Sequence, residues 1–219
     1  NQKQHEANQA VAAEYGLALG DAAFLSLGLR HDWNERFADS TTWRTTISVP
    51  WREWDARVHA SAGTGVKNPD FFELFGFAPP FFAGNPNLKP EKSLGFDAGV
   101  EKYFFDRALK LDVTYYNADL ESEIFTDFSV FPFTARNANG KSKRDGAEVA
   151  AMADLGNGLT LNAAYTYTSS TASGAQELRR PHNIASFDAD YRFAEDRAFL
   201  NLGVDLHGSQ KDTDFTTFQ

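Results

Sequence analysis

Val66-Lys67-Asn68-Pro69-Asp70-Phe71-Phe72-Glu73-Leu74-Phe75-Gly76-Phe77-Ala78-Pro79-Pro80-Phe81-Phe82-Ala83-Gly84-Asn85-Pro86-Asn87-Leu88-Lys89-Pro90-Glu91-Lys92-Ser93 holds five of the chain's eight prolines. Proline has no N–H to give to a ladder, so a central strand cannot run through this segment. It also carries six phenylalanines, more than a merely solvated loop needs, and a long connection of this kind is an ordered loop with a task. On both sides the pattern turns to period-two alternation: Arg57-Val58-His59-Ala60-Ser61-Ala62 before it, Leu94-Gly95-Phe96-Asp97-Ala98-Gly99-Val100-Glu101 after it. The segment therefore joins two strands.

Working outward, apolar residues recur at every second position through ten segments: 11–19, 25–33, 43–51, 58–62, 94–100, 109–115, 149–155, 159–167, 185–193 and 200–206. The intervening positions are polar, as in Lys110, Asp112 and Thr114, or Ser186, Asp188, Asp190 and Arg192. Each segment reads as a strand of roughly 9 to 13 residues, long for an ordinary strand but matched to a tilted membrane-spanning one. Connections alternate in length. Gly20-Asp21, Arg52-Glu53, Asp106-Arg107, Gly156-Asn157-Gly158 and Glu195-Asp196 are tight turns, whereas 34–42, 67–92, 121–144 and 169–182 are long. Aromatics gather beside the short turns: Trp51 and Trp54, Tyr103 to Phe105, and Tyr191, Phe193 and Phe199. The expected fold is all-β: an antiparallel transmembrane β-barrel portion of about ten long strands, with short periplasmic turns, long extracellular loops and an aromatic belt at the periplasmic side. An antiparallel soluble sandwich is the alternative, and it fits the uniform strand length and alternating loops less well.

Composition narrows the functions. A formal charge of −9 argues against nucleic acid as a partner. With no cysteine there is no disulfide framework and no thiolate metal site. Mean hydropathy is −0.45, and no run approaches the roughly 18 apolar residues of a membrane helix. A β-barrel alternates lipid-facing and lumen-facing residues, so its mean hydropathy looks soluble. The five histidines show no HExxH or i, i+4 pair, and no G-x-S-x-G or Gly-rich phosphate loop occurs. Asp188 with Asp190, His59 and His207 read as polar lining, and Asp212-Thr213-Asp214 is too short for a calcium loop. No catalytic site, metal site or cofactor is expected.

Gly63-Thr64-Gly65-Val66-Lys67-Asn68-Pro69, Phe72-Glu73-Leu74-Phe75 and Gly84-Asn85-Pro86-Asn87-Leu88-Lys89-Pro90-Glu91-Lys92-Ser93 together resemble the mid-barrel signature of TonB-dependent outer-membrane receptors. Asn137 to Glu148 resembles that family's N-x-G…R-x-G-x-E strand start. Tyr165-Thr166-Tyr167 with Arg179-Arg180-Pro181-His182 resembles its Y-T-Y…R-R-P-x-H hairpin. The resemblance implies active import of a chelated nutrient across the bacterial outer membrane, a ferric siderophore first and cobalamin second. Capture by extracellular loops would be followed by plug rearrangement driven through TonB. Haem receptors of the family pair a His with Asn-Pro-Asn-Leu, and no His lies between Val66 and Leu88. The family's plug, energy-coupling box and C-terminal strand have no counterpart here. Residues 1–219 are therefore expected to be part of a single outer-membrane barrel domain. The partners implied are outer-membrane lipid and lipopolysaccharide, the chelate, and TonB through a plug outside this chain. A passive porin-type channel and a soluble β-sandwich binding module stay open as alternatives.

The ligand-contact candidates are Phe71, Phe72, Phe75, Phe77, Phe81 and Phe82 in the first aromatic loop. Phe125, Phe128, Phe131 and Phe133 of the next long loop can oppose them. The blander role for these rings is packing the loops against one another, since burying a ring stabilises by about 1.5–3 kcal/mol with or without a ligand. Arg136, Lys141, Lys143 and Arg144 form a local basic cluster suited to an anionic chelate, or to lipopolysaccharide at the strand margin.

Overall fold

The computed structural model describes residues 3–76, 80–172 and 174–212. The elements in chain order are β1 (Asn8–Leu19), β2 (Ala23–Asn34), β3 (Ser40–Trp51), β4 (Ala56–Lys67), the short helix α1 (Phe71–Phe75), β5 (Phe82–Ala83), β6 (Glu91–Phe104) and β7 (Leu109–Glu121). They continue with β8 (Ile124–Asp127), β9 (Phe133–Asn137), β10 (Lys141–Asp154), β11 (Leu159–Ala172), β12 (Ala175–Gln176), β13 (Asn183–Phe193) and β14 (Ala198–His207). One sheet runs in the order β1-β2-β3-β4-β6-β7-β10-β11-β13-β14, with β12 added beside β11. Every pairing along it is antiparallel. All ten alternating segments of the sequence are strands of this sheet.

Register turns ten separate alternations into one surface. Directly opposed residues share a face, and Val58, Val100, Val113, Val149 and Tyr165 lie in one row across five strands. Large side chains stand opposite small ones in neighbouring rows: Phe96 opposite Ala62, Tyr115 opposite Ala98 and Phe187 opposite Ala163. A one-residue slip anywhere would send a whole apolar set to the other face. The apolar face is open, with Val11, Tyr15, Leu29, Val113, Leu202 and Leu206 among its exposed side chains. No water-soluble surface keeps so large an apolar area uncovered, so its fitting solvent is a bilayer. None of the described helices is long and apolar enough to cross a membrane, which says nothing of crossing by strands.

The opposite face is a bonded polar wall. Glu101 is 8% exposed and accepts from Arg57 at 3.1 Å, with Lys110 at 3.7 Å. His59 Nε2 lies 3.0 Å from Asp112, which also accepts from the Thr114 hydroxyl at 2.8 Å. Gly99 makes room for this group, because a Cβ there would collide with the His59 ring and the Thr114 hydroxyl.

The antiparallel order puts the connections after β1, β3, β6, β10 and β13 at one end, and these are the tight turns. Leu19–Ala22, Phe105–Ala108 and Ala194–Arg197 each close with a backbone hydrogen bond of 3.0–3.2 Å. Positive φ at Gly20, Asp106, Asn157 and Glu195 reverses the chain with the hand that suits twisted strands. The belt residues lie here: Trp51 is 5.3 Å from Trp54, Tyr191 is stacked on Phe193 at 5.4 Å, and the Lys102 ammonium lies over Trp54 and Phe104. The long connections leave from the other end.

Strands β4, β6, β7, β10 and β11 run further toward the long-loop end than the alternation indicates. Apolar residues stop at the edge of the apolar solvent, while ladder pairing continues, as in Lys67↔Glu91 and Lys92↔Glu121. At this end Arg144 ties two loops to the wall. Its guanidinium lies 2.5 Å from Glu123 and 2.9 Å from Glu177, and Glu177 also accepts from the Ser170 hydroxyl. Partial burial alone would raise the Glu177 carboxyl, but bonding to Arg144 and Ser170 outweighs it and brings the group down to about 2.

Two outcomes follow from this geometry. Val113→Arg places a charge on the apolar face and should destabilise the bilayer-embedded protein by about 2–4 kcal/mol. Ala150→Lys, at the same height on the polar face opposite Asp112, should be close to neutral. Denaturant midpoints in liposomes separate the two. The folded Glu177 carboxyl lies below the ordinary value of 4.5, so its stabilisation is complete above that pH and lost as pH falls toward 2. Limited proteolysis near residues 174–182 should accelerate between about pH 4.5 and 2, and Glu177→Gln should show the faster cleavage already at neutral pH.

Candidate functional site: an aromatic dome over the sheet

The proline- and phenylalanine-rich stretch folds into a dome with the next long connection. Asp70 caps α1: its carboxylate accepts from the Glu73 N–H at 2.8 Å, and Glu73 accepts from the Asp70 N–H at 2.8 Å. This reciprocal pair satisfies two otherwise orphaned donors of the first turn. The helix ends at Gly76 with φ +60°, and the chain returns so close that a Cβ at Gly84 would run into the Phe75 backbone. The dome's sheet has the order β5-β9-β8, with β5 parallel to β9 and β8 antiparallel to it.

Two asparagines fix the path of the segment. Asn85 donates to the Ala135 carbonyl at 2.9 Å and accepts from the Asn87 N–H at 3.0 Å. Asn137 accepts from the Lys89 N–H at 2.8 Å and donates to the Lys89 carbonyl at 2.9 Å and the Ser122 carbonyl at 2.7 Å. A side-chain amide here does the work of a missing strand partner. Beneath it lie Leu74, Phe82, Leu88 and Ala135, the buried hydrophobic residues among those described, with Phe37, Phe75, Ile124 and Phe133 packed around them. Three long connections therefore meet in one small core.

The candidate rings divide between that core and the surface. Phe82 is 9% exposed and stacks on Phe72 with centroids 4.2 Å apart, while Phe75 packs against the core under the Arg36 guanidinium. Phe71, Phe72, Phe81, Phe125, Phe128 and Phe131 are exposed, Phe81 at 63% and Phe131 at 68%. Phe81 meets Phe131 edge-on at 6.4 Å, and Phe131 and Phe128 both meet Phe133 edge-on. The two aromatic loops thus share one ring cluster. Phe77 lies outside the described residues, as do Thr213 and Asp214 of the Asp-Thr-Asp run.

Three of the four basic residues of the cluster are paired where they stand. Arg136 pairs with Asp127 at 2.9 Å, Lys141 with Glu121 at 2.7 Å, and Arg144 with Glu123 and Glu177. The Asp127 carboxyl is held below its ordinary value by the Ser129 hydroxyl and N–H, with Arg136 adding to the effect. Among the described residues no group of three His, Asp or Glu side chains is placed to hold a metal ion. The site presents apolar rings outside and backbone clamps beneath. Of these features, the Asp70–Glu73 cap was readable from its three-residue spacing. The Asn137 clamp and the Arg144 hub, whose partners lie far away in sequence, carried no local signal.

Residues 1–218 match the family model described as TonB dependent receptor-like, beta-barrel. Among solved structures, the siderophore receptor PirA from Pseudomonas aeruginosa shares 20% identity over 92% of this chain and 37% of its own, with a TM-score of 0.75. The ferric enterobactin receptor PfeA from Pseudomonas aeruginosa shares 21% identity over 93% and 32%, with a TM-score of 0.76. The copper transporter OprC shares 18% identity over 85% and 34%, with a TM-score of 0.69. At these identities the likeness is one of fold, and the chain spans about a third of the length of those solved chains. Matched along nearly all of its length and folded as a long-stranded antiparallel sheet, the chain belongs to the TonB-dependent receptor-like β-barrel family.

Proposed function

We propose that residues 1–219 form part of the single β-barrel domain of a bacterial outer-membrane receptor, one that imports a chelated nutrient by TonB-dependent active transport. A ferric siderophore is the foremost cargo and cobalamin the second. The observation that carries this reading is the ring cluster around Phe81 and Phe131, set by backbone clamps above a sheet with one apolar and one polar face. A family of receptors, with solved relatives that include a siderophore receptor, a ferric enterobactin receptor and a copper transporter, supports it.

In this reading the exposed rings Phe71, Phe72, Phe81, Phe128 and Phe131 close on the chelate, while Phe75 and Phe82 stiffen the dome from below. Phe77 and Arg136 belong to the same set, Phe77 by its place in the sequence. The apolar face contacts outer-membrane lipid, and the loop-end margin meets lipopolysaccharide. Further strands close the sheet between β1 and β14, a plug fills the barrel, and TonB acts on that plug. The residues of this chain bind and orient; they break no bond.

The test uses the whole receptor. Phe81→Ala with Phe131→Ala should weaken chelate binding to cells by roughly tenfold or more, the share expected of two central aromatic contacts. Surface abundance should stay unchanged. Removing TonB or the proton gradient should stop uptake and leave surface binding intact. Uptake that continues without TonB would point to a passive channel.

A further inference from the structure

The apolar face carries a charge near the tight turns. Trp51, Ala56, Lys102, Leu111 and Ala151 are directly opposed in one row, so Lys102 stands on the same face as Val58 and Val100. Among the described residues it is the one charged side chain on that face between the row of Val58 and Val100 and the tight turns. Its ammonium lies 5.7 Å from the Trp54 ring centroid and 5.2 Å from that of Phe104, and it donates to the Trp54 carbonyl at 2.5 Å. Trp51 borders this group, 5.3 Å from Trp54. Among the described residues no carboxylate pairs with Lys102, whereas Arg52 is held by Asp21 and Arg107 by Asp55, each at 3.0 Å. The two turns just beyond also carry Glu53 and Asp106, which have no ion-pair partner among the described residues. The belt at the β13–β14 turn is built differently. Tyr191 and Phe193 stack there, Arg192 lies on the other face, and Arg197 pairs with Glu195.

An ammonium has three N–H donors. One serves the Trp54 carbonyl, and the ring faces attract the charge without accepting a full hydrogen bond. The other donors reach the level at which hydrocarbon gives way to headgroups, where a phosphate oxygen is the acceptor at hand. Both neighbours of β6, which are β4 and β7, belong to this sheet. The surroundings of Lys102 on the apolar face are therefore supplied by this chain. Charge there is graded, with the cation deeper and the carboxylates of Glu53 and Asp106 further out in the turns. A phosphoethanolamine headgroup has the matching order, its phosphate next to the glycerol and its ammonium beyond. A headgroup that is only anionic would answer the cation and be repelled by the carboxylates. We propose that Lys102, caged by Trp51, Trp54 and Phe104, binds the phosphate of one phosphoethanolamine lipid, whose amine lies toward Glu53 and Asp106. This rests on the reading that the apolar face stands in the outer membrane, and adds a defined lipid site to it.

Native mass spectrometry tests it on the purified whole receptor in detergent, equilibrated with equal amounts of phosphatidylethanolamine and phosphatidylglycerol. The wild type should retain one ethanolamine lipid in preference to the glycerol lipid. Lys102→Met keeps an apolar stem and removes the charge, and should retain that lipid roughly fivefold less, the share of a single cation at a lipid surface. Lys102→Arg should retain it to within about twofold of the wild type, since the charge is kept. Heat-modifiable mobility reports that each variant is folded. Glu53→Gln with Asp106→Asn should abolish the preference for ethanolamine while a phospholipid is still retained. Equal retention by the wild type and Lys102→Met overturns the site, and preference of the wild type for phosphatidylglycerol overturns the headgroup assignment. Retention of neither lipid by a receptor that needs detergent overturns the site alone. Retention of neither by a receptor that stays folded without detergent overturns the bilayer reading as well.

Discussion

Unbroken cross-strand register is the constraint on which the rest depends. In hydrocarbon no water accepts a stray N–H or C=O, so each strand must pair along its length. Two faces of opposite polarity then leave each strand one workable register. The rows of directly opposed valines from β4 to β10, and the tyrosine that continues them on β11, are the visible product. Because the wall is fixed this way, both sets of connections have fixed ends, and the loops inherit a rigid frame.

Wall and dome are held by different forces. The wall has no conventional hydrophobic interior: its apolar residues face outward and its polar face is satisfied by pairs such as Arg57–Glu101 and His59–Asp112. The dome has a small interior of its own, with a capped helix, a three-stranded sheet and a buried core around Leu74 and Leu88. Arg144 belongs to both, standing on a wall strand and bonding to loop carboxylates.

The wall was legible because period-two alternation is a local signal repeated ten times, and turn chemistry punctuated it. The ends of β4, β6, β7, β10 and β11 were not, since the alternation fades while pairing continues. The dome was legible only as an ordered aromatic loop. Strands of two to five residues among prolines, one of them paired in parallel with a partner some fifty residues on, leave no periodicity to read. Phe81 and Phe82 show the limit well. They are neighbours of identical chemistry, yet one is open and the other sealed: Phe81 lies in the turn that precedes β5, while Phe82 begins the strand and stacks on Phe72. The basic cluster around Arg136 and Arg144 looked like an anion trap in the sequence. Its carboxylate partners come from segments that no spacing rule connects to it.

The clamps of Asn85 and Asn137 reach mainly main-chain atoms of the segments they hold: the carbonyl of Ala135, both backbone groups of Lys89 and the carbonyl of Ser122. Main-chain atoms are the same whatever side chain they carry. The course of the loops is thereby separated from the identity of the rings displayed on them. The aromatic surface can therefore be exchanged residue by residue while the scaffold that presents it stays in place.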